Sequence, residues 1–67
     1  MLIHIITKPK TNPALYMAFE IRENVGYYMH HASTNISDLV AELEIYRPKP
    51  IIRFDNAARL AFWRSLQ

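Results

Sequence analysis

Ala14-Leu15-Tyr16-Met17-Ala18-Phe19-Glu20-Ile21-Arg22 decides between two folds. Leu15, Met17, Phe19 and Ile21 alternate with Tyr16, Ala18, Glu20 and Arg22, the period-two pattern of a strand with one face in a core. Asn12-Pro13, just upstream, offers the opposite reading: an N-cap followed by proline in the first helical turn. The unbroken alternation favours the strand. The element order is then β-β-β-α-β-α, an α+β domain with a small, mostly antiparallel sheet and two helices packed on one face. With a helix here the order becomes β-α-β-α-β-α.

Upstream, Leu2-Ile3-His4-Ile5-Ile6-Thr7 is apolar and β-branched, as expected of a strand mostly buried on both faces. Lys8 to Pro13 is a proline-bearing loop. Downstream, Glu23-Asn24-Val25-Gly26 holds the chain's only glycine and reads as a hairpin connection. Gly26 to Ala32 then returns as a strand, with Tyr28 and His30 on one side and Tyr27, Met29 and His31 on the other. Ile36, Leu39, Val40, Leu43 and Tyr46 recur at helical spacing. Ser37 is the expected N-cap, Asp38 suits the positive end of that helix and Arg47 the negative end, and Pro48 stops it. Ile51-Ile52-Arg53-Phe54 is a short strand, and Asp55 or Asn56 caps a final helix. The strand reading expects Leu15, Met17, Phe19 and Ile21 to meet Leu39, Val40 and Leu43. Tyr16, Ala18, Glu20 and Arg22 would then line the open side of the sheet.

A chain of 67 residues makes one compact domain, 1–67. A domain this short buries only about 60% of the surface its unfolded chain exposes, so it needs a dense core or a partner. Cysteine is absent, which excludes disulfides and thiolate zinc sites and suits a reducing compartment. Hydrophobic residues make up 51% of the chain, enough to build a core. No apolar run approaches the length of a membrane span. Leu2 to Ile6 is short for the apolar region of a secretory leader and is interrupted by His4, so a cytoplasmic location is expected. The formal net charge of +2 is a weak attraction for nucleic acid. Lys8, Lys10, Arg47, Lys49 and Arg53 lie in or beside two proline-containing segments, and form a small basic patch if those segments meet.

No motif dictates a reaction. The three histidines are His4, His30 and His31. Neighbouring strand residues point to opposite faces, so a regular strand cannot aim His30 and His31 at one metal, and no carboxylate completes a set. Neither a metal nor a cofactor is expected. No serine sits in a glycine-flanked elbow, a single glycine cannot build a phosphate cradle, and Glu42 and Glu44 diverge on their helix. The enzyme reading left open by residue types alone is a small ribonuclease-like toxin using His30, His31, Arg53 and Tyr28.

The last segment, Asn56 to Gln67, is apolar all round. Wound as a helix, Ala57, Ala58, Leu60, Ala61, Phe62, Trp63 and Leu66 leave no polar gap wider than about 60°. Ala58, Phe62 and Leu66 form the expected core stripe. Leu60 and Trp63 are left for a lid from Arg47–Pro50 or for a partner. These features suggest a non-catalytic adaptor or inhibitor that covers a macromolecular surface as a homodimer, in the manner of phage or plasmid accessory proteins. Leu60, Trp63 and Arg64 are the candidates for self-association; Tyr16, Arg22, Tyr28 and His30 are the candidates for the partner. The alternative is a nucleic-acid-binding protein using the tyrosine-bearing sheet face with Lys8, Lys10, Lys49 and Arg53, against which Glu20 and Glu23 count.

Overall fold

The structure, a computed structural model, describes residues 1–24 and 26–67. Its elements are β1 (Leu2–Lys8), β2 (Leu15–Arg22), β3 (Gly26–Ser33), α1 (Ile36–Glu44), β4 (Ile51–Phe54) and α2 (Asn56–Ser65). The order is therefore β-β-β-α-β-α, and residues 15–22 are a strand. The sheet runs β3-β2-β1-β4, antiparallel except for the β1–β4 pair, which is parallel. After β3, α1 carries the chain back across one face of the sheet to β4 at the far edge. Both helices pack on that face, α1 over β2 and β3 and α2 over β1 and β4. Of the expected hairpin connection, Val25 lies outside the described residues. Gly26 opens β3 at φ +84°, a region that favours glycine.

The helix ends follow from local hydrogen bonding. Asn35, not Ser37, caps α1: its side chain accepts from the Asp38 amide at 3.2 Å. Ser37 is already inside the first turn, and its hydroxyl donates to the Asn35 side chain at 2.8 Å. At the other end the Arg47 guanidinium donates to the carbonyls of Glu44 and Tyr46, satisfying acceptors that the helix leaves open. Asp55 caps α2, accepting from the Ala58 amide at 2.7 Å.

The faces of β2 are the reverse of the sequence expectation. Ile3 pairs with Glu20, Ile5 with Ala18 and Thr7 with Tyr16. Directly paired residues share a face. Ile3 and Ile5 are fully buried under the helices, so Ala18 is buried with them and Tyr16 packs against the core. Leu15, Met17, Phe19 and Ile21 consequently point away from Leu39, Val40 and Leu43. Both sides of β2 carry apolar residues, and the register with β1 decides which side goes in; a one-residue slip would exchange them. The small Ala18 side chain suits a position where helix and sheet come close. Nor is β1 buried on both faces: Ile3 and Ile5 are covered, while Ile6 is exposed.

The core is a single layer between sheet and helices. Ile3, Ile5, Leu39 and Leu43 are its large buried side chains, joined by Ala18, Ile36, Val40 and Ala58. Phe54 and Phe62 stack at its margin with ring centroids 5.3 Å apart. The shortest principal extent, 16 Å, leaves room for one sheet and one layer of helices. No helix among the described residues is long and apolar enough to cross a membrane.

Candidate functional site

Two features stand outside this core: a polar cluster on the helix side of β3, and the bare outer face of the sheet. The cluster owes its existence to a bulge. Ala18 pairs with His31 and Phe19 with Met29, so His30 is an extra residue on β3. A bulge suspends the alternation for one step. Both histidines therefore turn to the helix side, whereas a regular strand would have sent His31 outward with Tyr27 and Met29.

There His30 and His31 converge on Tyr46, the residue after the C-cap of α1. His31 Nε2 lies 2.7 Å from the Tyr46 hydroxyl and His30 Nδ1 lies 3.5 Å from it. Each ring is backed by a carboxylate: His30 Nε2 lies 2.7 Å from Glu20 Oε1, and His31 Nδ1 lies 3.1 Å from Glu42 Oε2. A carboxylate only accepts, so His30 Nε2 carries the proton of its hydrogen bond to Glu20. The Tyr46 hydroxyl is hydrogen-bonded to His31 Nε2, the nearer of the two ring nitrogens that face it. Arg22 Nε donates to Glu20 at 3.1 Å, and its guanidinium lies 4.0 Å from the Tyr28 ring centroid. The hydrogen bond from His30 holds the Glu20 carboxyl below its ordinary pKa; partial burial opposes this and Arg22 reinforces it. Among the described residues no buried side-chain polar atom lacks a partner, and Arg22 Nε is engaged by Glu20. Among the described residues no cavity opens beside it, and no group of three His, Cys, Asp or Glu has metal-ligand geometry.

The bare face is built from the opposite side of each strand. Reading across the ladder on this one face, Tyr27 lies beside Ile21 towards the β3 edge, and Leu2 beside Ile51 towards the β4 edge. The next row is Met29, Phe19, His4 and Arg53, followed by Ala32, Met17 and Ile6, and then Leu15 with Lys8. Tyr27 is 68% exposed, Ile51 65% and Met29 52%. Phe19 and Tyr27 meet edge to face at 6.1 Å. His4, Lys8 and Arg53 are the polar members of these rows. Among the described residues of the sheet, no carboxylate shares this face.

No family model, curated protein or solved structure matches this chain.

The residues singled out from sequence fall into separate places. Arg22, Tyr28 and His30 do come together, but in the cluster on the helix side. Tyr16 is packed against the core. Trp63 is 59% exposed, uncovered by the Arg47–Pro50 segment, and Leu60 and Arg64 are exposed with it. Leu66 is also exposed, because it is the C-cap of α2 and lies past the last core-facing turn. The proline segments do not meet. β4 runs parallel to β1 and starts beside Met1, where the Ile51 amide donates to the Met1 carbonyl at 2.9 Å. Lys49 therefore lies at the opposite end of the sheet from Lys8 and Lys10, and is paired with Glu44 at 3.8 Å. Arg53 sits on the bare face beside His4, with the sheet between it and His30, His31 and Tyr28. Tyr46, Glu20 and Glu42 complete the cluster although no motif marks them for it. Helical spacing marked Tyr46 as core, and only the bulge on β3 reveals its second role.

Proposed function

We propose that this protein is a non-catalytic binding module that covers an apolar protein surface with the bare face of its sheet. The supporting observation is the composition of that face. Antiparallel sheets that turn one side to water carry polar residues there; this one carries isoleucine, leucine, methionine, phenylalanine and tyrosine. Four strands at about 4.8 Å spacing, each rising about 3.4 Å per residue, make a plate of about 400 Å². His4, Lys8 and Arg53 take part of that plate, and an apolar patch of a few hundred Å² on a small domain is often functional. A second surface serves self-association. Leu60, Trp63 and Leu66 recur at three-residue intervals on α2 with Arg64 beside them, and two such stripes can pair about a two-fold axis. A dimer of that kind leaves the sheet face free for a partner. The absence of cysteine suits action in the cytoplasm.

The test is capture from the producing cell with three baits: wild type, Phe19→Glu and Trp63→Glu. Phe19 points outward, so Phe19→Glu should keep the fold. A partner held by wild type and Trp63→Glu but lost by Phe19→Glu supports the reading. Identical captures by all three baits overturn it.

A second reading, nucleic-acid binding, is favoured by one observation. Phe19 and Tyr27 share the bare face with His4, Lys8 and Arg53, and Glu20 is on the other side of the sheet. Aromatic rings beside cations on a sheet can stack bases and reach phosphates. Its mark is a gel shift that weakens steeply with salt. The aliphatic majority of the face favours protein.

A further inference from the structure

We infer that the occupant of the bare sheet face is an amphipathic helix of a partner protein whose apolar stripe is flanked by carboxylates. The inference rests on the proposed binding role of that face. Its first ground is charge. The chain has six acidic residues, and none of them joins the outward rows. Glu20 is on the helix side with His30, Asp38, Glu42 and Glu44 belong to α1, Asp55 caps α2, and Glu23 is in the turn after β2. His4 and Arg53 are neighbours in one row of the face, and Lys8 lies four residues further along β1 on the same side. A second copy docked through this face would offer Arg53 and Lys8 no counter-charge, because no carboxylate of the described sheet residues lies on it. Each would lose water and gain no counter-charge, which is unfavourable. A partner bearing carboxylates supplies the missing charge.

The second ground is shape. Helices cover one side of the sheet only, and a helix on the other side completes a three-layer arrangement. A helix about 10 Å across spans two strand spacings of about 4.8 Å. Laid along β1 and β2, its apolar stripe meets Ile6, Met17 and Phe19, and its flank passes over Arg53 and Lys8. Those two positions are about 13 Å apart along the strand direction. At about 1.5 Å per residue that is about nine residues of helix, and carboxylates seven residues apart, about 10.5 Å, are the nearest spacing that returns to one flank.

The experiment uses the whole protein and two synthetic 18-residue helical peptides with the same leucine stripe. One carries Glu at two flank positions seven residues apart; the other carries Lys there. Affinity is measured by anisotropy of the labelled peptides, and the site by backbone amide shifts. The Glu peptide should bind at least tenfold tighter at low salt, with the gap closing as salt rises. Its shifts should centre on Ile6, Met17 and Phe19. The double variant Lys8→Glu with Arg53→Glu should reverse the preference. Equal binding of both peptides at the sheet face overturns the inference while leaving the binding role intact. Binding of neither, or shifts confined to α2, overturns both. A dimer dissociated by Phe19→Glu but not by Trp63→Glu makes a second copy the occupant and overturns the inference. Displacement of the Glu peptide by single-stranded oligo(dT) at the same amides identifies a nucleic-acid face and also overturns it.

Discussion

Thr7 and Asp55 are joined twice: the Thr7 amide donates to Asp55 Oδ2 at 2.7 Å and the Thr7 hydroxyl to Oδ1 at 3.0 Å. The same carboxylate caps α2 through the Ala58 amide, and the Asp55 amide donates to the Ile5 carbonyl at 3.0 Å. One residue thus ties the far end of β1 to the end of β4 and the start of α2. It fixes how α2 lies on the sheet, and so which residues of α2 face outward.

That arrangement gives stability a sign with pH. Burial raises the Asp55 pKa, but the hydrogen bonds from Thr7 and Ala58 outweigh it and hold the carboxyl below its ordinary value. A folded-state pKa below the unfolded one of about 3.9 adds stability that is complete above that value. It is lost as pH falls through the folded pKa. Glu20, lowered by His30 and Arg22, acts in the same direction. Thermal melts should be flat at neutral pH and fall in acid. Asp55→Ala should cost about 1–2 kcal/mol at pH 7, and its melting temperature should fall less steeply in acid than that of the wild type. An acid profile unchanged by the substitution would show that Asp55 is not titrating with folding.

Leu43 is fully buried between α1 and the sheet. Leu43→Ala should cost about 2–5 kcal/mol, most of the stability of a domain this small. Circular dichroism should show a steep loss in melting temperature or an unfolded chain at 25 °C. An unchanged melt would mean that α1 is rotated from the position described.

The inversion of β2 makes a paired prediction. Ala18 is fully buried and Phe19 looks outward. Ala18→Leu should therefore overfill the core and cost about 1–3 kcal/mol, whereas Phe19→Ala should stay within about 1 kcal/mol of wild type because it leaves no enclosed cavity. Alternation alone would rank the two the other way. Denaturant titration of the two variants decides between them.

What the sequence discloses and what it hides divide along physical lines. Period is local, so the element order and the stripe Ile36–Leu39–Val40–Leu43 can be read directly, whereas capping is read only to within a residue or two: Asp55 or Asn56 for α2, and Ser37 where Asn35 caps α1. Which side of Leu15–Arg22 faces the helices is not local. It depends on which residue of β1 pairs with Ala18, and Leu2–Thr7 offers apolar partners in either register. The cluster around Tyr46 is hidden for the same reason. Between the Tyr16–Ser33 and Arg22–Gly26 pairs β3 has one residue more than β2, His30, and an inserted residue leaves no trace in composition. The failure of the proline segments to meet follows from the parallel β1–β4 pairing, itself a consequence of α1 crossing the whole sheet.

Tyr46 offers a test of the cluster that leaves the fold in place. Tyr46→Phe keeps the ring against the core and removes only the oxygen between the two imidazoles. His31 Nε2 loses its hydrogen-bond partner in a half-buried setting, at a cost of about 1–2 kcal/mol. Imidazole resonances of both His30 and His31 should shift, since both rings face that oxygen. A shift at His31 alone would show that the 3.5 Å approach of His30 carries no interaction.

Trp63 tests the α2 surface. The indole is 59% exposed, and Leu60 and Leu66 flank it on the outside of the helix. Burying such a stripe against its copy involves only two or three turns of helix, so the association should be concentration-dependent. Light scattering of the wild type across micromolar to millimolar concentrations should show a molar mass rising from one chain towards two. Trp63→Glu should hold the mass at one chain over the same range, with an unchanged circular dichroism spectrum, because no core contact is lost. A variant that unfolds would place the indole in the core. A wild type that stays at one chain throughout would remove self-association through α2, while leaving the sheet face as a separate question.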